Sequence, residues 1–131
     1  MSKYFQIILI ILLVSCAAFK SQKVNKKVIE GSYKIVQREA NPNNPNSVIT
    51  GIVYDKETNN PIKGAIVQIE DLKKGEFTDE KGRYSLEIEK KGLHKVQAVN
   101  VGHTKISTDS IKLESKTKVQ IDFYLGTTIE Y

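Results

Sequence analysis

The sequence of 131 residues has no tryptophan, one cysteine, one methionine, three prolines and two histidines. A lone thiol, Cys16, excludes a disulfide framework within the chain. His94 and His103 lie outside any HExxH or HxxE pattern, so the clustered ligands of a zinc hydrolase are missing. Each is read as a surface or partly buried imidazole rather than a metal ligand. Neither a serine-hydrolase elbow nor a phosphate-binding loop occurs. No charge sign dominates: 20 basic and 15 acidic residues are interspersed for a net +5, which is no polycationic tail. Lys73, Lys74, Lys90, Lys91, Lys116 and Lys118 sit at or near turns, where solubility and edge protection explain them better than nucleic acid does. No apolar run reaches the roughly 20 residues that span a bilayer.

The longest such run, Ile7 to Val14, follows Lys3 and ends in Leu13-Val14-Ser15-Cys16. That arrangement is a signal peptide over residues 1–16 whose end resembles a bacterial lipobox. Cys16 is therefore expected to be lipidated and to become the mature N-terminus, anchored to a membrane of the periplasm or outer membrane. The alternative is cleavage after Ala17 or Ala18 and release as a soluble protein. Residues 17–47 are polar and basic, closing on Asn41-Pro42-Asn43-Asn44-Pro45-Asn46, where the prolines end any regular element. Ser32–Gln37 is compatible with a short strand but shows no partner, and the segment reads as a flexible tether.

From Val48 the apolar residues alternate. Ile49, Gly51 and Val53 share one face, as do Ala65, Val67 and Ile69; Tyr84, Leu86 and Ile88; Val96 and Ala98; and Val119, Ile121 and Phe123. Period two marks strands buried on one side and wet on the other. Turn residues punctuate them: Asn59-Asn60-Pro61, Lys73-Lys74-Gly75, Asp79 to Gly82, Lys90-Lys91-Gly92 and Val101-Gly102. Asp79-Glu80-Lys81-Gly82 has the form of a tight turn rather than a calcium loop, since a lysine stands among the would-be ligands. The pattern predicts an all-β sandwich with one core.

Gly51-x-Val53-x-Asp55, Asn60-Pro61-Ile62-x-Gly64-Ala65-x-Val67, Thr78 to Leu86, Val96-x-Ala98, Gly102 and Val119-x-Ile121-x-Phe123-x-Leu125 occur in that order. So arranged, they resemble the carboxypeptidase regulatory-like domain, a transthyretin-like (prealbumin-like) peptidase-associated module. The resemblance implies a seven-strand Greek-key β-sandwich over residues 48–125, followed by a C-terminal tail at 126–131. It also implies a non-catalytic appendage without a cofactor, here a stand-alone cell-envelope protein of Bacteroidetes type. His103 departs from the pattern, which has an aromatic, usually Tyr, after the glycine. A purine-degrading hydrolase on a similar fold ends Tyr-Arg-Gly-Ser; this chain ends Thr127-Thr128-Ile129-Glu130-Tyr131. The expected role is that of a protein-interaction or structural accessory, meeting an envelope protein of unknown identity by strand addition. The alternative is a small-ligand or glycan binder that uses Tyr54 or Tyr124 as a stacking surface.

Overall fold

A computed structural model describes residues 21–131. The signal segment and Cys16 lie outside the described residues. The strands run in chain order β1 (Lys26–Val28), β2 (Ser32–Ala40), β3 (Ser47–Asp55), β4 (Ile66–Ile69), β5 (Lys74–Phe77) and β6 (Arg83–Ile88). They continue as β7 (Gly92–His94), β8 (Val96–Val99), β9 (Ile106–Ser107), β10 (Ile111–Leu113), β11 (Thr117–Leu125) and β12 (Thr128–Glu130). Two four-stranded sheets form the body, ordered β2-β11-β3-β6 and β5-β4-β8-β9; two further pairs, β1-β12 and β10-β7, flank it. Seven of the eight strands in the large sheets fall in the range expected for the sandwich, and the eighth is β2.

Every alternating set read from the sequence turns inward. Ile49, Val53, Ala65, Val67, Ile69, Val96, Ala98, Val119, Ile121 and Phe123 are all 0% exposed. Burying apolar area on this scale is the main favourable term in folding such a domain. Ile111 and Leu113 of β10 complete the same cluster, which is continuous, so there is a single core.

β3 and β11 run parallel, which requires the chain to cross to the other sheet between them. Their pairing stops after Thr50↔Gln120 and resumes at Val53↔Phe123. Across the gap the Tyr84 hydroxyl donates to the Ile121 carbonyl at 2.6 Å, and Asp122 Oδ1 accepts the Ile52 N–H at 3.0 Å. These side chains satisfy backbone groups that the interrupted ladder leaves over. Gly51 lies in this gap, and a Cβ on it would stand 1.8 Å from the Ile121 oxygen. This glycine is required by the close approach of two backbones.

The fold is wider than the expected 48–125. Residues 32–40, read as part of a tether, form β2, which pairs with β11 from Ala40↔Thr117 to Ser32↔Tyr124. Tyr33 packs on Phe123 with ring centroids 6.4 Å apart. Residues 128–130, read as tail, form β12 on β1. Gly126 admits that crossing, because a Cβ there would meet the Ile29 oxygen at 1.7 Å. Among the described residues only 21–25 of the expected tether precede the first strand. A strand at Ser32–Gln37 was compatible with the sequence but its partner was not readable, for a physical reason: from Lys34 onward β2 is exposed on both faces, so burial imposes no period-two pattern on it.

Candidate functional site

Four strands end the two large sheets, and β2 is the longest of them. It has nine residues against six for β6, four for β5 and two for β9. β5 carries Lys74 and Glu76 opposite the inward residues Ile69 and Val67, and such inward charges discourage pairing. β2 is instead pinned in place. Arg38 Nη1 donates to the Lys112 carbonyl at 2.7 Å, and the Tyr33 hydroxyl donates to Asp109 Oδ2 at 3.2 Å while accepting the Asp109 N–H at 3.1 Å. Between these fastenings Ile35 and Val36 are 43% and 44% exposed. The register against β11 shifts opposite Val36, between Gln120 and Ile121. An edge fastened at both ends, with apolar residues exposed at its centre, can accept another extended chain on either side of this irregularity.

Tyr54 and Tyr124 meet on the outer face of the first sheet, paired in register and stacked at 5.2 Å with 15° between their planes. Each ring therefore covers one face of the other. Burial raises the Tyr54 hydroxyl above its ordinary pKa, with the charges of Asp122 and Tyr124 adding to the effect.

The two histidines have separate carboxylate partners and do not meet. The buried His94 directs Nδ1 at Asp71 Oδ2 (3.0 Å) and Nε2 at the Lys90 carbonyl (2.8 Å). Both ring nitrogens are occupied, which leaves none for a substrate proton. His103 Nε2 lies 2.7 Å from Asp55 Oδ2, and its Nδ1 is 3.0 Å from the Asn100 amide. A nitrogen donor thus stands where the resembled family has an aromatic, tying the turn after β8 to the turn after β3. Asp55 Oδ1 also accepts the Glu57 and Thr58 N–H groups at 2.9 Å, so the motif aspartate organises a turn.

Asp79 acts the same way, accepting N–H groups of Lys81 and Arg83 at 2.9 Å and the Arg83 side chain at 2.9 Å. Gly82 closes that turn on the Asp79 carbonyl with φ +73°. The carboxylate is committed to its own loop. Among the described residues no group of three or more His, Cys, Asp or Glu is placed to hold a metal ion. Pairing directions bring the lysine-bearing turns after β4, after β6 and before β11 toward one pole, where Leu72, Lys74, Ile88 and Lys90 line a shallow groove.

These turns make stability sensitive to acid. Hydrogen bonds hold the carboxyls below their ordinary pKa, led by His103 for Asp55, His94 for Asp71 and the Arg83 backbone for Asp79. The folded state then binds these protons less tightly than the unfolded chain. The contribution is fully present above about pH 3.9 and is lost as pH falls through the lower folded values. The denaturation midpoint should be level from neutral pH to about 5 and drop below about 4, with a shallower drop in Asp55→Asn. A midpoint unchanged down to pH 3 would contradict this assignment.

The model of the CarboxypepD_reg-like domain family matches residues 49–130. No curated protein matches the chain. Among solved structures, a type II cohesin–X-dockerin complex of Acetivibrio cellulolyticus is similar at 16% identity and a TM-score of 0.49, covering 56% of this chain and 51% of that one. A protein of Bacteroides uniformis described as carbohydrate-binding is similar at 15% identity and a TM-score of 0.48, covering 62% of this chain and 41% of that one. A 3-chlorocatechol 1,2-dioxygenase of Rhodococcus opacus gives 12% identity and a TM-score of 0.45, with 86% and 77% covered. The chain spans about half the length of the first of these and less of the second.

Proposed function

This chain belongs to the CarboxypepD_reg-like domain family, and from that premise we propose that it is a non-catalytic module of the cell envelope that binds a partner protein by strand addition along β2. The observation that carries this reading is the edge itself: nine residues long, terminal in its sheet, fastened at Tyr33 and Arg38, and exposed at Ile35 and Val36. A partner strand would gain main-chain hydrogen bonds along the edge and apolar contact at its centre. Rigidity lowers the ordering cost of docking. A photo-reactive residue in place of Val36, introduced in intact cells, should give a discrete cross-linked adduct, whereas one in place of Glu87 on β6 should not. Equal adducts from both edges, or none from Val36, would remove the proposal.

The module is held to the membrane through acyl chains on Cys16. The lipobox-like Leu13-Val14-Ser15-Cys16 supports that part of the reading. The anchor would then join the body through the residues between Cys16 and β1. β1 joins the body near the end of β11, since Gly31 lies against Tyr124 and Gly126. The lysine-rich pole would thus face away from the lipid. The mass of protein extracted from membranes should correspond to a chain that begins at Cys16 and carries acyl groups. An unmodified chain beginning after Ala17 or Ala18 would instead mean a secreted, soluble protein.

A further inference from the structure

The outer face of the second sheet has a layered chemistry set by its register. Val67 and Ile69 point into the core, so Ile66, Gln68 and Glu70 point out. Phe77, Ile66 and Val99 lie opposite one another as an apolar row across three strands. Two positions along each strand, about 7 Å away, Gly75, Gln68, Gln97 and Ser107 form a polar row. Glu70 and Lys73 lie beyond it, and a groove opens along Gln68, Glu70, Gln97 and Lys105.

The polar row is held together internally. Gln68 Nε2 donates to Gln97 Oε1 at 2.9 Å, Gln97 Nε2 donates to Glu70 Oε1, and Ser107 Oγ donates to the same oxygen at 2.8 Å. Gln97 is only 8% exposed although it sits on an outer face. This chain of bonds leaves Gln68 Oε1 and Glu70 Oε2 without a partner among the described residues, as acceptors beside the groove. Gly75 keeps the side next to Gln68 open, since a Cβ there would lie 3.1 Å from the Gln68 Cβ. Phe77, 67% exposed, offers an aromatic surface beside them.

We propose that this face is a second binding site, for a neutral saccharide, whose C–H face rests on the Phe77–Ile66–Val99 row while its hydroxyls bond to Gln68, Glu70 and the Gln97 amide. A sugar ring combines an apolar face with edge hydroxyls that both donate and accept, which is the pairing these adjacent rows supply. Donors already fixed to one another lose little freedom when a ligand binds. Glu70 stands beside Lys73 and Lys105 in the groove, so its lining carries charges of both signs. The site lies on the sheet opposite β2, so it stands independently of the strand-addition reading.

The test is titration of the purified mature chain with cellohexaose, chitohexaose and mannohexaose, followed by calorimetry or amide chemical shifts. An oligouronate of equal length serves as the charge control. At least one neutral hexasaccharide should bind, and Phe77→Ala and Gln68→Ala should each weaken it by roughly tenfold, while Tyr124→Ala leaves it unchanged. Gln68→Glu, which keeps the side-chain shape, should also weaken binding and so separates recognition from any folding defect. Failure of all three neutral sugars would overturn the proposal. So would binding of the oligouronate alone with loss at high salt, or binding abolished by Tyr124→Ala and indifferent to Phe77→Ala.

Discussion

Gly51→Ala is expected to cost about 4 kcal/mol or more, enough to prevent folding of a domain this small. The added methyl would stand 1.8 Å from the Ile121 oxygen and 2.7 Å from its carbon, and both are backbone atoms that no rotamer change can move. Relief would have to separate β3 from β11 at the centre of their sheet. That would also break the Tyr84 hydroxyl bond to Ile121 and the Asp122 bond to the Ile52 N–H, both placed to bridge this gap. Gly64→Ala is the matched control. Gly64 has φ +75° but nothing within 4 Å of where its methyl would stand, so only conformational strain of about 1–2 kcal/mol should appear. Chemical denaturation of the three proteins decides the matter. Equal stability losses at the two glycines would show that close backbone approach is not what Gly51 provides.

Removing every residue before Asn41 should destabilise the domain by about 3 kcal/mol or more. That deletion takes away β2, uncovers the β11 edge from Thr117 to Tyr124, and strips Tyr33 from the face of Phe123. It also leaves β12 without β1. The Arg38 and Tyr33 bonds to Lys112 and Asp109 go with it, loosening the segment around β10. A true tether could be cut with a change within about 0.5 kcal/mol. The denaturation midpoint of the shortened chain therefore distinguishes a strand from a linker directly, and an unchanged midpoint would return residues 26–40 to the tether.

The sites divide unevenly between what was legible and what was not. Asp79 was readable as a turn residue, and Asp55 acts in the same way, because an aspartate bonds N–H groups two to four residues ahead, an interaction contained within one short window. The partners of His94 and His103 were not readable: Asp71 and Asp55 lie 23 and 48 residues away in the chain. Tyr54 and Tyr124 were visible as outward residues of their strands. Their stacking on each other depends on the parallel register of β3 with β11, which no local pattern records.

Alternation along β3, β4, β6, β8 and β11, with turn residues between, was enough by itself to make this chain an all-β sandwich with one core and to name nearly all the residues inside it. A strand buried on one side writes its own orientation into consecutive positions. Only the tertiary structure decided that β2 extends the first sheet, that β1 closes on β12, and that Gly51 and Gly126 are needed where backbones nearly touch. All of them come from contacts between segments far apart in sequence, and β1, β12 and most of β2 are wet on both faces, where burial leaves no periodic trace.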